Sequence, residues 1–406
     1  MTSVTVPEKR DPFAHPDELL LLSKDASLPK VILYACGATM LDISGNSNID
    51  DIAYGGGSEI TAQEFIERHV PEVLKIAQVL IVPDVPMTAW IRIAQHFNEY
   101  SRRCDDIVGA VLIRATNSLE EVAFGLDMII QGSKPFILSG AMRPALSLSS
   151  DGPLNLYNAT ATAISPLSRE RGAMVVFGCK IVSAYYVAKT NANSVDTFKS
   201  VEQGNLGIML GGRPMFYFEP AQPMGKRWFD VKAVKEDELP KVSILYSHID
   251  QDASLIEAAV RSGAKGIVIA GGGIGVLAKQ PRQIAGLVAT AGTPVVVAAR
   301  PFTGVSVPVL LEDPLIHSER LNAFQARIQL QLALATGVQA HNDIREMFEG
   351  LFHEHIFKGN WGTAQRRETD DDAGAHQDKA GDYPDKERVI EGDDQEKGEK
   401  GRTMKT

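Results

Sequence analysis

Val31-Ile32-Leu33-Tyr34-Ala35-Cys36-Gly37-Ala38-Thr39-Met40 decides how the rest of the chain is read. The stretch reads as a buried strand running into a glycine turn, with a hydroxyl at the end of the turn. Val31 to Tyr34 bring β-branched and aromatic bulk, which suits a short strand, and Gly37 interrupts the run. In open α/β sheets, ligands gather beyond the carboxyl ends of strands, where such turns sit. A threonine there has two readings. It is a nucleophile whose neighbours offer backbone N–H groups to a developing oxyanion, or it merely caps the next segment.

Working outward, the same pattern returns. Strands are expected at 79–82, 107–113, 136–139 and 174–177, and helices at 62–76, 87–99, 119–128 and 151–163. Asp151 stands before the last of these helices and Pro153 in its first turn, a favourable start. Regular alternation of strands and helices predicts an α/β fold with a doubly wound, mainly parallel sheet. Residues 185–200 are too polar for a core element and read as a loop. From 211 to 240, prolines and aromatics without period read as an interdomain linker. Alternation resumes with strands at 242–246, 267–270 and 295–298 and helices at 252–261, 279–290 and 319–336, a smaller second α/β domain. The expected organisation is therefore an arm at 1–28, an N-terminal domain at 29–210, the linker, a C-terminal domain at 241–361 and a charged tail at 362–406. The tail is rich in Asp, Glu, Lys, Gly and Gln, and is expected to be disordered.

A length of 406 residues and a hydrophobic content of 44% provide for two sizeable cores. The net charge of −10 argues against nucleic acid as partner, since phosphate binding needs basic clusters. The 3 cysteines, Cys36, Cys104 and Cys179, neither form a disulfide framework nor have metal-ligand spacing. No apolar run is long enough to cross a bilayer, and the first residues lack a secretory apolar segment, so a cytoplasmic protein is expected. Gly273-Ile274-Gly275-Val276-Leu277-Ala278 fits the dinucleotide pattern, but no acid lies between Lys279 and Leu311 to hold a ribose. His353 and His355 lack a third metal ligand. No metal or cofactor is expected.

Two further motifs carry a family resemblance. Asp151-Gly152-Pro153-Leu154-Asn155-Leu156, behind Gly140-Ala141-Met142-Arg143-Pro144, resembles a segment of the bacterial and fungal L-asparaginases. Lys189-Thr190-Asn191, followed by Asp196-Thr197-Phe198-Lys199-Ser200, is similar to the lysine loop of that family. The likeness extends from about residue 30 to 345 in order and spacing. It implies a two-domain α/β fold and hydrolysis of the side-chain amide of asparagine, or more loosely glutamine, without metal or cofactor. It also implies a homotetramer, a dimer of dimers in which a second subunit closes each site. Carried over by position, the nucleophile falls on Thr39, the lid tyrosine on Tyr54, the second threonine on Thr116 and the lysine on Lys189. An ammonium easily perturbed by burial suits the relay of a proton.

The departures are equally informative. The family's T-G-G-T turn is here Cys36-Gly37-Ala38-Thr39, and its H-G-T-D-T is Arg114-Ala115-Thr116-Asn117-Ser118. The aspartate that grips the substrate ammonium thus becomes Asn117. A serine–glutamine pair falls near Asp84-Val85, an asparagine of the second domain becomes Ile274, and a glutamate aligns with Leu311 beside Glu312. Each unpaired charge in a closed site costs ~1–3 kcal/mol or more, so free asparagine fits poorly. These substitutions predict a divergent amidohydrolase with a threonine nucleophile, acting on a small molecule other than free asparagine. The alternatives are a catalytically impaired homologue with a structural or regulatory role, and an ordinary L-asparaginase. Arg114, a planar cation, is expected to clamp a substrate anion, with Val85, Ile274 and Leu311 as apolar walls.

Overall fold

The computed structural model describes residues 13, 19–23, 25–43, 58–308 and 313–350. Tyr54, Leu311, Glu312 and the tail beyond 362 lie outside the described residues, as does most of the arm. The chain enters through β1 (Leu20–Leu22) and continues into β2 (Lys30–Cys36), the strand anticipated from Val31 onward. Then α1 (Ala62–His69), β3 (Gln78–Val82), α2 (Trp90–Arg103), β4 (Ile107–Arg114), α3 (Leu119–Ile129), β5 (Phe136–Ser139), α4 (Gly152–Ala163) and β6 (Ala173–Phe177) alternate. These five central strands run parallel in the order β3-β2-β4-β5-β6. Successive side chains of a strand point to opposite faces. Ile32, Tyr34 and Cys36 accordingly join Phe97, Leu112 and Phe124 in one core, while Val31, Leu33 and Ala35 join Phe65, Ile113 and Leu156 in another. Helices cover both faces, so each large apolar side chain buried there contributes about 1.5–3 kcal/mol.

Both flanks of the sheet are antiparallel. Leu22 is buried by pairing of β1 with β3, which docks the leucine run of the arm. On the other side, β7 (Lys180–Ser183) turns back along β6. Next, β8 (Ala188–Lys189) and β9 (Phe198–Lys199) form a small ladder of their own, within a stretch that sequence polarity assigns to loop. β10 (Gly207–Leu210) and β11 (Arg213–Phe216) then complete a sheet of nine strands among the described residues. The start of the 211–240 stretch therefore belongs to the sheet. Gly211 and Gly212, at φ 58° and 74°, make the tight hairpin turn that returns the chain. The helix expected over 62–76 stops at His69 because Pro71 has no N–H to continue it, and Pro71–Lys75 follows as a 3-10 turn.

The second domain is a separate parallel sheet in the order β12-β13-β14-β15. Its elements are β12 (Val242–Tyr246), α5 (Ser254–Arg261), β13 (Gly266–Gly271), α6 (Lys279–Thr290), β14 (Val295–Ala299), β15 (Ile316–His317), α7 (Ala323–Ala335) and α8 (His341–Glu349). α7 is buried over most of its surface, Gln325, Gln329 and Gln331 included, because it packs on this sheet and on α3 of the large domain. Gln325 of α7 donates to the Tyr185 carbonyl at 2.8 Å, a polar tie between the two domains. No helix among the described residues is long and apolar enough to cross a membrane.

Candidate active site

Register places the expected residues at one edge. Cys36, the last residue of β2, pairs with Arg114, the last of β4. The chain leaves β2 into a 3-10 turn, Thr39–Leu41, and leaves β4 into Thr116 and Asn117, so both threonines follow paired strand ends at the carboxyl edge of the parallel sheet. The turn is closed by backbone bonds from Leu41 to the Ala38 carbonyl and from Asp42 to the Thr39 carbonyl, at 2.8 and 3.1 Å. Met40 and Leu41 plug into the core below it, whereas Thr39 remains half-buried. The Thr39 hydroxyl bonds to no described residue, so it performs no capping and stays available for chemistry.

The Asp151 motif supports this edge from behind. The Asp151 carboxylate accepts from the backbone N–H groups of Met142 and Arg143 at 3.0 Å, pinning the turn after β5. Asn155 donates to the Gly140 carbonyl at 3.0 Å and accepts from the Gly178 N–H at the same distance. A side chain on Gly140 would strike the Arg114 carbonyl at 2.6 Å, and one on Gly152 would press on Met40 at 3.0 Å. Gly140 is thus a steric requirement of the site's foundation, whereas at Gly152 a side chain would need Met40 and Phe65 to shift by a few tenths of an ångström.

Across from the threonines, the β8–β9 hairpin carries Lys189. Its Nζ donates to Thr116 Oγ1 at 2.8 Å, and Thr116 is only 4% exposed. The backbone N–H of Lys189 donates to Glu120 Oε2 at 2.7 Å. Burial pulls the Lys189 ammonium below its ordinary pKa, and Glu120 opposes that pull. Burial likewise pushes the Glu120 carboxyl up, with the bond from Lys189 N–H drawing it back down and Glu121 pushing it further up. Sequence reading missed Glu120. Its signal was an acid in the first turn of the helix that follows the second motif, which is also the ordinary place for an acid at a helix start.

Arg114 does not face a ligand. It is 2% exposed and points, like Cys36, into the core on the α2–α3 side. Its Nη2 donates to Ser118 Oγ at 2.7 Å, while its Nε and Nη1 have no partner. The expectation of an anion clamp is corrected by alternation along β4: the residue two after Leu112 shares its buried face. Burial lowers the Arg114 pKa and raises the Cys36 thiol to about 12, with Arg114 working against the latter shift. Cys36 is therefore an inert, protonated thiol.

Asn117 is exposed and accepts at Oδ1 from Ser118 Oγ at 3.3 Å. Asp84 is exposed at φ 52° and lines a cavity of about 330 Å³ with Gly37, Glu59 and Thr61. Val85 is turned into the core and makes no ligand wall. Ile274 stands on the second domain, 49% exposed, beside a different cavity of about 260 Å³ lined also by Val276, Arg282, Val307 and His317. The structure thus brings Thr39, Thr116, Asn117 and Lys189 to one sheet edge. No group of three or more His, Cys, Asp or Glu among the described residues could hold a metal ion.

The chain is similar to known proteins along most of its length. The family model for the N-terminal domain of asparaginase matches residues 31–222, and that for the glutaminase/asparaginase C-terminal domain matches 241–348. The chain is 37% identical over 356 residues to probable L-asparaginase 4 of Schizosaccharomyces pombe, covering 82% of this chain and 95% of that protein. It is 34% identical to L-asparaginase 2 of Escherichia coli, covering 79% and 93%. A crystal structure of a probable cytoplasmic L-asparaginase from Campylobacter jejuni superposes with a TM-score of 0.71 at 32% identity, covering 79% of this chain and 99% of that one.

Proposed function

The chain belongs to the asparaginase family and is a hydrolase of amide carbon–nitrogen bonds, and on that premise we propose that it uses Thr39 as nucleophile on a small amide other than free asparagine. One observation carries the reading: the half-buried Lys189 ammonium donates to the buried Thr116 at 2.8 Å, on the strand end next to the one that leads to Thr39. In the proposed reaction, Thr39 Oγ1 attacks the amide carbonyl, and its proton passes by way of Thr116 and Lys189 to the departing nitrogen. Ammonia leaves, and water then cleaves the acyl-threonine to release the acid and restore the hydroxyl. Burial that lowers the Lys189 pKa suits that relay, because it eases exchange of the proton. Tyr54 is assigned the lid role by its place in the sequence alone.

Asn117 motivates the altered substrate, since an amide replaces the carboxylate that would neutralise an α-ammonium. An ordinary L-asparaginase is the second reading, favoured by the names of the relatives. A cytoplasmic homotetramer is proposed as the working form, supported by the cytoplasmic relative and by the exposed apolar turn at Ile274. Ammonia release from a panel of small amides tests the activity. Wild-type protein is expected to turn over at least one of them, and Thr39→Ala to lose that activity by a factor of ~100 or more. Asparagine turnover within the usual enzymatic range of roughly 1–1,000 per second would establish the second reading instead.

A further inference from the structure

The arm builds one wall of a cavity beside the first motif. β1 pairs antiparallel with β3, which sets Leu20 opposite Ile81, and directly paired residues share a face of the sheet. Both side chains line the cavity of about 330 Å³ at the carboxyl ends of β2 and β3. β1 precedes residue 31, where the match to the asparaginase family begins, so this wall is not part of the matched fold. A further wall is Ile60, on a segment fastened to the turn after β2. Ile43 N–H donates to the Ser58 carbonyl at 3.0 Å, and Ile60 N–H donates to the Leu41 carbonyl at 2.9 Å. Gly37 and Leu41, which stand on either side of Thr39 in the chain, line the cavity as well. The cavity thus adjoins the turn that carries Thr39.

We propose that this cavity receives an uncharged aliphatic substituent of the substrate amide, with Leu20 of the arm as a specificity-determining residue. Pockets for small molecules run from ~300 to 1,000 Å³ and are walled mainly by apolar side chains with a few polar ones. This cavity has the size and the walls for a short hydrocarbon chain. Leu20 is 45% exposed, against 3% for Ile81 and 8% for Ile60, so it is the wall with the most apolar surface still to be covered. The charged groups of the cavity are acids. Glu59 and Asp84 both line it, and no basic side chain among the described residues does. A side chain on Gly37 would lie 3.8 Å from Glu59 Oε1, which places that carboxylate over the turn. A ligand chain ending in its own carboxylate is therefore repelled. Burial pushes the Glu59 carboxyl up and Asp42 pushes it further, so the repulsion is fullest at mildly alkaline pH. The proposal deepens the hydrolase reading and rests on it for placing the amide group at Thr39.

Three amides separate chain length from charge: acetamide, hexanamide, and adipamate, whose chain ends in a carboxylate. NMR titration at mildly alkaline pH, in the Thr39→Ala background that removes turnover, is expected to show hexanamide binding about tenfold or more tighter than acetamide. Adipamate is expected to bind about tenfold more weakly than hexanamide. Leu20→Trp fills the cavity and is expected to bring hexanamide down to the affinity of acetamide, and Leu20→Ala to weaken it about threefold. Melting temperatures show whether these variants are folded. Should one fail to fold, Overhauser contacts between the hexanamide chain and the Leu20 methyls decide the matter in the Thr39→Ala protein. If hexanamide binds in this order but wild-type protein releases no ammonia from any amide, the hydrolase reading fails and the pocket stands. If ammonia is released but chain length brings no tighter binding, adipamate matches hexanamide, or Leu20→Trp leaves the hexanamide advantage intact, the pocket is overturned and the hydrolase reading stands. If hexanamide does not bind, the pocket is overturned and ammonia release alone judges the hydrolase reading.

Discussion

Glu120 is the residue whose contribution is most easily isolated. With Asn117 neutral, it supplies the negative charge that acts on Lys189. Burial holds its carboxyl above the ordinary value of 4.5, so it reaches full charge later in an upward titration than an exposed glutamate does. Activity is therefore expected to rise along an acid limb lying above 4.5, and Glu120→Gln to remove that limb. Because Glu120 raises the Lys189 pKa against the pull of burial, the same substitution moves the basic limb to lower pH. A rate loss on the order of tenfold is expected, the factor for about 1.4 kcal/mol in a barrier. The folded state disfavours the ionised carboxylate, as its raised pKa states, so Glu120→Gln should not lower the melting temperature. An unchanged pH–rate profile would refute the assignment. The placement of Thr39 and Thr116 after strand ends was legible because a glycine or polar break closes each apolar run there. The Lys189–Thr116 bond was not, because its partners lie far apart along the chain. Arg114 was misread because its residue type suggests a ligand, while strand alternation, which governs where it points, assigns it to the core. Glu120 was hidden by resembling an ordinary helix-start acid.

At the scale of elements, α3 joins the site to the rest of the large domain. Its amino end carries Ser118 and Glu120, and its last turn carries Asp127. Asp127 pairs with Lys226 at 2.8 Å, with both side chains 2% exposed, and accepts from the Ala173 N–H of β6 at 2.7 Å. A side chain on Gly172 would overlap the Asp127 carboxylate at 2.3 Å, so the turn before β6 is built around this pair. Asp127→Asn keeps an acceptor for Ala173 but leaves the Lys226 ammonium buried without its counter-charge. A stability loss of ~3–5 kcal/mol is expected in urea titration, and Asp127→Asn with Lys226→Met, which keeps the acceptor for Ala173, is expected to recover most of it. A loss below about 1 kcal/mol would show that Lys226 escapes to solvent. This clamp was invisible in sequence because its partners lie far apart along the chain and neither belongs to a motif. The central strands were legible, since burial on both faces leaves continuous apolar runs. The flanking β7, β10 and β11 were not, since they are short and partly exposed, and their pairing follows from turns at Gly178, Gly211 and Gly212. Likewise β8 and β9 are two residues each, below what any periodicity reveals.

The whole molecule presents an apolar surface that a single copy leaves uncovered. Ile274 and Val276 are 49% and 58% exposed on one turn of the second domain, at the mouth of the cavity that Leu277 and Val307 also line. Phe302, exposed as well, lies on the segment that follows β14. Large side chains left in water on neighbouring turns favour burial against another surface, at about 25 cal/mol for each Å² covered. A closed two-fold assembly of identical chains is the commonest way to cover such a face. The expected form in solution is therefore a homo-oligomer, with a dimer as its smallest working unit. Ile274→Asp and Val276→Asp place a carboxylate in the covered face and should weaken association by about tenfold to a hundredfold, the cost of burying an unpaired polar group. Folding should be unaffected, because both side chains are exposed in the single chain and contribute little to its core. If a second copy closes the Thr39 edge, activity falls in step with dissociation and returns at high protein concentration. Light scattering at micromolar concentration checks the first expectation, and ammonia release across a dilution series checks the second. A wild-type monomer would overturn both, whereas a dissociated but fully active variant would show that each chain completes its own site.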